Sequence, residues 1–185
     1  MHQVDGRARV KYRWIFVDKE VNTGVVKEIN NFLPEKEFLD IKEFFLSSWM
    51  PWFYNKNQTT NSKKDTSFFS HRFLDNKEIM SDLYQIVEPI IKKIKHKKLL
   101  RIQANLIVNT KKQTLSNFHV DWPIKHKVSI YYITTSNGFT LLDPKDKIKI
   151  KCEENKLVTF DGKTLHAAVS QTDKDQRIVL NINYI

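Results

Sequence analysis

Asn117 to Ile133 read NFHVDWPIKHKVSIYYI, and this stretch decides the fold. His119 and Asp121 are separated by Val120 alone. On an extended strand alternate side chains share a face, so the imidazole and the carboxylate point the same way. Such a pair supplies two of the three protein ligands of a 2-His-1-carboxylate iron site, a mixed nitrogen and oxygen set that leaves coordination positions open. The third ligand has to come from farther along, and LVTFDGKTLHAAVS offers His166. Arg177 follows eleven residues later (177 − 166) and opens the strand-like RIVLNINYI.

His-x-Asp, a distant His, then an Arg at the start of the last strand is an order with a known counterpart. The C-terminal half resembles the Fe(II)- and 2-oxoglutarate-dependent dioxygenases, in their prolyl-hydroxylase-like branch. VSIYYIT after HVDWP resembles that branch's Tyr-Tyr-Leu-Asn strand, and GFT at Gly138 to Thr140 stands where its members carry Gly-Gly-x-Thr. ENKLVTF before DGKTLH is similar to the lead-in to the distal His. The resemblance spans Leu99 to Ile185.

The resemblance implies a mainly β fold with flanking helices, a double-stranded β-helix (jelly roll) supported by two α-helices. It implies Fe(II) held by His119, Asp121 and His166, with 2-oxoglutarate as cosubstrate and O2 as oxidant. The reaction implied is hydroxylation of a protein side chain or a small molecule, coupled to oxidative decarboxylation of 2-oxoglutarate to succinate and CO2. Arg177 is the expected partner of the far carboxylate, because a guanidinium meets a carboxylate in two parallel hydrogen bonds. Tyr132 aligns with the family tyrosine on that carboxylate. Asn105 is a candidate for the metal-proximal end of the cosubstrate, and Thr140 a further cosubstrate candidate. For both, a polar residue of the barrel wall is the competing reading.

From Leu99 onward the pattern has a period of two. Arg101, Gln103 and Asn105 alternate with Ile102, Ala104 and Leu106, and Arg177, Asn181 and Asn183 alternate with Ile178, Leu180 and Ile182. Each strand therefore has one polar and one apolar face. With Arg177 inside, the polar faces line the barrel interior and the helices cover the apolar ones.

Working back, Asn76 to Lys95 reads as a helix with Ile79, Leu83, Ile86, Ile90 and Ile94 on one stripe and a kink or break expected at Pro89. Met50 to Ser70 is polar with embedded aromatics. Trp49, Trp52, Phe53 and Tyr54 are expected either to wall the substrate side or to plug the flank of the barrel. A first helix starts around Pro34 and runs to Ser47, with Phe38, Leu39, Ile41 and Phe45 as its apolar stripe. Residues 1–30 read as extended. His71 is read as structural or substrate-side, and His96 and His126 as surface residues.

The 185 residues are expected to form one domain, with 1–98 as N-terminal strands and supporting helices and 99–185 as the jelly-roll core. A lone Cys152, no apolar leader and no membrane-length apolar run give the expectation of a cytoplasmic protein without a membrane partner. The net charge of +10 invites a nucleic-acid partner, but the lysines are dispersed rather than clustered on one motif. A nucleic-acid oxidative demethylase is the main competing function. It is disfavoured because Arg177-Ile-Val-Leu-Asn181-Ile-Asn183 lacks that branch's second Arg. A cupin-like enzyme with a different metal would have the same shape, and Arg177 and Tyr132 speak against it. A catalytically silent jelly-roll binding module would too, and the intact triad speaks against that.

Overall fold

The computed structural model describes residues 15–16, 26–56 and 67–185. In chain order the elements are β1 (Ile15–Phe16), β2 (Val26–Ile29), α1 (Glu35–Leu46), β3 (Phe53–Asn55), β4 (Phe68–Asp75), β5 (Glu78–Ile79) and α2 (Tyr84–Lys93). The C-terminal half adds β6 (Leu99–Val108), β7 (Lys127–Tyr132), β8 (Ser136–Leu142), β9 (Ile148–Cys152), β10 (Lys156–Asp161), β11 (His166–Val169) and β12 (Gln176–Tyr184). The segment expected to be extended before Val26 lies outside the described residues except at β1.

Two sheets form. The larger has the order β2-β10-β7-β12-β6-β4-β3, with β5 on β4, and the smaller has the order β1-β9-β8-β11. Residues 114–119 run along the free edge of β11, through the Leu115–Val169 and His119–His166 bridges. From β6 onward the chain thus passes back and forth between the sheets, apart from the β8–β9 hairpin within the smaller one, which is the winding of a jelly roll.

Period-two patterning decides what each face of β6 and β12 meets. Ile102, Ala104, Leu106, Ile178, Leu180 and Ile182 pack with Phe38, Ile41 and Phe45 of α1 and Val87, Ile90 and Ile91 of α2 in one buried cluster. The opposite face of the same strands looks between the sheets, as the alternation requires. The rest of the barrel interior is apolar: Val128, Ile130, Tyr132, Leu142, Ile150, Val158 and Phe160 form a second cluster.

The helices differ from expectation in two ways. α2 starts at Tyr84 rather than Asn76. Asn76 and Lys77 take φ of 47° and 77° and turn β4 back into β5, pairing Asp75 with Glu78. Two consecutive left-handed residues make the tight hairpin turn that matches strand twist, so this segment folds as a hairpin. Ile79 consequently lies exposed on β5 rather than on the helix stripe. Pro89 sits inside α2 without ending it. On α1, Leu39 is 48% exposed, because it lies about 100° around the helix from Phe38 and outside the narrow stripe of Phe38, Ile41 and Phe45.

The four aromatics before β4 divide. Trp52 packs on Phe45 with ring centroids 6.2 Å apart, a flank-plugging role, while Trp49, Phe53 and Tyr54 are exposed. Residues 57–66 of that loop lie outside the described residues.

Candidate active site

A cavity of about 370 Å³ opens between the sheets, lined by residues of β6, β8, β11 and β12 and by the 119–121 segment. At one end of its lining the ligand-type atoms of His119, Asp121 and His166 all lie within 4.8 Å of one another. The pairing of residues 114–119 with β11 brings the two histidines together. His119 N–H donates to His166 O at 3.0 Å and His166 N–H to His119 O at 2.9 Å.

Each imidazole is turned by a hydrogen bond to its own chain. His119 Nδ1 lies 3.0 Å from Asn117 O, and His166 Nδ1 lies 3.2 Å from Thr164 O. A carbonyl can only accept, so both Nδ1 atoms carry hydrogen and both Nε2 lone pairs are free. Those Nε2 atoms face Asp121, at 3.9 Å from Oδ1 for His119 and 3.8 Å from Oδ2 for His166. Carbonyl-anchored imidazoles beside a carboxylate are how metal-binding histidines are usually held.

Electrostatics keep this set in its metal-binding ionisation states. Burial alone would raise the Asp121 carboxyl. Arg101, His166, the Asn181 hydrogen bond and His119 together outweigh burial and hold it below the usual carboxylate range. Burial pushes His166 down to about 4, with Asp121 opposing only in part. An ionised carboxylate and a neutral imidazole are therefore present at neutral pH, and the N,N,O donor set suits a divalent transition metal such as Fe(II).

Two partners of Asp121 were not singled out by sequence reading. Arg101 Nη2 donates to Oδ1 at 2.6 Å, and Asn181 Nδ2 donates to Oδ2 at 3.1 Å. The period-two pattern placed both inside the barrel but could not show which carboxylate they would meet.

The other end of the cavity is built from donors. Arg177 is 2% exposed, and no carboxylate pairs with it among the described residues. Its Nη2 donates to Thr140 Oγ1 at 3.2 Å, and Tyr132 OH donates to the same oxygen at 2.8 Å. With two donors on its oxygen, the Thr140 hydroxyl has its own hydrogen left to give. Arg177 Nε is buried without a partner. Burial raises the Tyr132 phenol, with Arg177 opposing, so it too stays a donor. The stem of Arg177 passes Gly138 so closely that a Cβ there would lie 2.9 Å from Arg177 Cδ and 2.9 Å from Val169 O. The glycine of the GFT motif is a packing requirement.

Asn105 lines the cavity between the two ends, opposite Val179 in the β6–β12 ladder. Its Oδ1 accepts from Gln103 Nε2 at 2.7 Å, and Gln103 Oε1 accepts from Arg72 Nη2 at 2.9 Å. These bonds turn the Asn105 amide so that its N–H groups are the end left over. His71 bridges Pro51 O at 2.9 Å and Ser81 Oγ at 2.8 Å, a structural position. His96 is exposed, as expected, but His126 is 3% exposed and not a surface residue. The flanking Lys125 and Lys127 are exposed, whereas His126 itself turns inward onto β12.

No protein-family model matches the sequence, and no curated protein is similar to it at a significant level. Solved structures are similar in fold. A 2OG-Fe(II) oxygenase family oxidoreductase from Burkholderia pseudomallei superposes with a TM-score of 0.65 at 9% identity, covering 88% of this chain and 85% of that one. A prolyl hydroxylase from Trichoplax adhaerens, in complex with a hypoxia inducible factor oxygen degradation domain peptide fragment, gives 0.63 at 14% identity, covering 89% and 84%. The viral collagen prolyl hydroxylase of Paramecium Bursaria Chlorella virus-1 gives 0.58 at 16% identity, covering 89% and 98%. At these identities the likeness shows the jelly-roll fold.

Proposed function

We propose that this protein is an Fe(II)- and 2-oxoglutarate-dependent oxygenase that hydroxylates a side chain of a protein or a small molecule. The observation that carries the reading is the donor-only end of the cavity. A buried arginine without a counter-charge is expensive, and it is retained where an anion completes it. Arg177 and Thr140 offer hydrogens to the cavity, with Tyr132 giving its hydroxyl hydrogen to Thr140 Oγ1, and such a pair of donors is the complement of a carboxylate.

In this reading His119, Asp121 and His166 hold Fe(II) through the two Nε2 atoms and the Asp121 carboxylate. Bound there, Fe(II) supplies the activation of O2 that accompanies decarboxylation of 2-oxoglutarate to succinate and CO2. Arg177 and Thr140 grip the far carboxylate of 2-oxoglutarate, and Tyr132 fixes the Thr140 oxygen. Asn105 directs its amide hydrogens at the metal-proximal end. Two of the similar structures are prolyl hydroxylases, one of them with a peptide in place, which favours a peptide-borne side chain as the first substrate class to test.

The test is an anaerobic titration of 2-oxoglutarate into the Fe(II)-loaded protein, followed by visible charge-transfer absorption. The band is expected in the native chain and absent in His166→Ala. Arg177→Met should retain the metal and weaken 2-oxoglutarate binding by about 100-fold, the cost of losing a charge-assisted bidentate contact. Equal cosubstrate affinity in Arg177→Met and the native chain would remove the carboxylate assignment.

A further inference from the structure

The lysines are dispersed along the sequence, but the fold collects part of them at one end of the larger sheet. A row of paired residues crosses that end: Asp161 with Lys127, Lys127 with Tyr184, Tyr184 with Leu99, then Arg101 with Asp75 and Asp75 with Glu78. Beside the row stand Lys77, Lys97, Lys98, Lys125, Lys127 and Lys163, all exposed. At a strand spacing of about 4.8 Å, the rim from β10 to β5 is about 24 Å long. None of these lysines has an acidic partner among the described residues. Asp75 is taken by Arg72 at 2.7 Å, which leaves Glu78 and Asp161 as the acids of the rim. A side-chain hydrogen bond from Lys77, and then the charge of the same group, hold Lys98 below the ordinary lysine range. A solvated face ordinarily mixes both signs, and a one-signed rim repels itself until an anion covers it.

The cavity opens at the same end of the sheet. Arg101 follows Lys98 closely on β6, and Asn181 precedes Tyr184 closely on β12; both bond Asp121. At a rise of about 3.3 Å per residue, the rim lies about 10 Å along the strands from that carboxylate. The side chains of His119 and Arg101 are 30% and 19% exposed, whereas Arg177 at the other end is 2% exposed. A substrate that reaches the metal end therefore comes in past the lysines.

We propose that this rim is the docking surface for an acidic peptide segment that carries or flanks the side chain to be oxidised. That the rim docks a polyanion rests on its charge; that the docked segment is the substrate rests on the oxygenase reading above. A peptide fits better than a nucleic acid for two reasons. Single-stranded nucleic acid is held by aromatic rings on which bases stack, together with a basic groove. The exposed Trp, Phe and Tyr rings among the described residues are Trp49, Phe53 and Tyr54, on β3 and the turn before it, and β3 pairs with the far end of β4. Phosphates are also gripped by the planar fork of arginine. Arg72 and Arg101, the arginines beside the rim, are already committed to Asp75 and Asp121. What remains is a line of ammonium groups on flexible stems, which suits side-chain carboxylates spread along an extended chain.

The experiment is binding of a fluorescein-labelled poly-glutamate peptide to the full chain, read by anisotropy at near-physiological salt. Two double variants with the same net charge are compared. Lys98→Glu with Lys127→Glu reverses the rim, and Lys36→Glu with Lys174→Glu reverses exposed positions on α1 and before β12, away from it. The rim variant is expected to lose about 10-fold or more in affinity and the control about 2-fold or less. All four positions are exposed, and equal thermal midpoints check that the fold is kept. Equal losses in the two variants would mean that net charge alone attracts the peptide, and would overturn the proposal. So would absence of peptide binding by the native chain. An oligothymidylate of matched charge that binds more tightly than the peptide, with the same loss in the rim variant, would make the occupant a nucleic acid and overturn it too. The anaerobic 2-oxoglutarate titration on the rim variant should give the native charge-transfer band and affinity. Peptide binding that depends on the rim in a chain that never gives that band would leave the docking surface standing and remove the oxygenase reading.

Discussion

The two faces of β6 and β12 are made from alternating residues of the same strands, yet they follow opposite rules. Toward the helices, Ile102, Ile178, Leu180 and Ile182 are fully buried among apolar side chains. Toward the cavity, Arg101, Gln103, Asn105, Arg177 and Asn181 converge on shared space. The first face stabilises by removing apolar area from water, about 1.5–3 kcal/mol for each large side chain. The second places charges and amides where burial is costly, and Arg177 Nε and Arg101 Nε have no hydrogen-bond partner among the described residues. Local rules are broken on one face only, and that is the face of the candidate site.

The sharpest way to break the comparison is to move a charge across the strand. Leu180→Asp would put an unpaired carboxylate against the helices. That costs several kcal/mol, a large part of what a domain has in total. Loss of the folded state by circular dichroism is expected. Asn181→Leu, one residue away, is expected to leave a folded protein with weakened metal binding. If both variants fold equally well, the division into a stability face and a site face is wrong.

This division was legible in the sequence because strand periodicity needs only the order of residues. The His119, Asp121 and His166 constellation was legible through its motif. The partners of Asp121 were not, since Arg101 lies 20 residues before it and Asn181 60 residues after. Only the β6–β12 pairing and the return of the 119–121 segment decide that both meet one carboxylate. His126 was misread for a related reason. Its lysine neighbours describe the surface that the segment crosses, but not the inward turn of one side chain. The start of α2 was missed because Ile79 fits the apolar spacing of Leu83 and Ile86, which drew the expected helix back over two left-handed residues, Asn76 and Lys77.

A second effect is expected from pH on the metal-free protein. The folded His166 titrates at about 4 against 6.5 in the reference state, so the unfolded chain binds more protons between those values. Stability is therefore fully present above pH 6.5 and lost as pH falls toward 4. The window is worth on the order of 3 kcal/mol from this group. Asp121, held low, acts with the same sign at more acidic pH. Urea midpoints at about pH 7.5 and about pH 5 should differ in the native chain and differ less in His166→Phe, the remainder coming from His71, which burial also holds below the ordinary histidine range. A pH-independent native midpoint would contradict the burial of a neutral imidazole.

Arg177→Met should move stability the other way. Replacing a buried, unpaired guanidinium by an apolar side chain of similar reach is expected to raise stability by about 1–4 kcal/mol, while the cosubstrate is lost. A higher melting temperature together with weaker 2-oxoglutarate binding would show that the site face is retained at a cost to the fold. A lower melting temperature would mean that Arg177 holds the sheets together, and the two faces would then differ less than their composition suggests.

The smallest expected effect tests where the stability face ends. Leu39 belongs to the apolar spacing of α1 yet is 48% exposed, next to a buried Phe38. Leu39→Glu should change stability by no more than about 0.5 kcal/mol, as surface substitutions do. Phe45→Ala, on the buried stripe of the same helix, should cost about 3–5 kcal/mol. Urea denaturation of both variants decides the matter. If Leu39→Glu approaches Phe45→Ala, the stripe is wider than the structure has it. If it stays near zero, α1 meets the core along Phe38, Ile41 and Phe45 with Phe44 at the margin, and Leu39 lies outside the stability face.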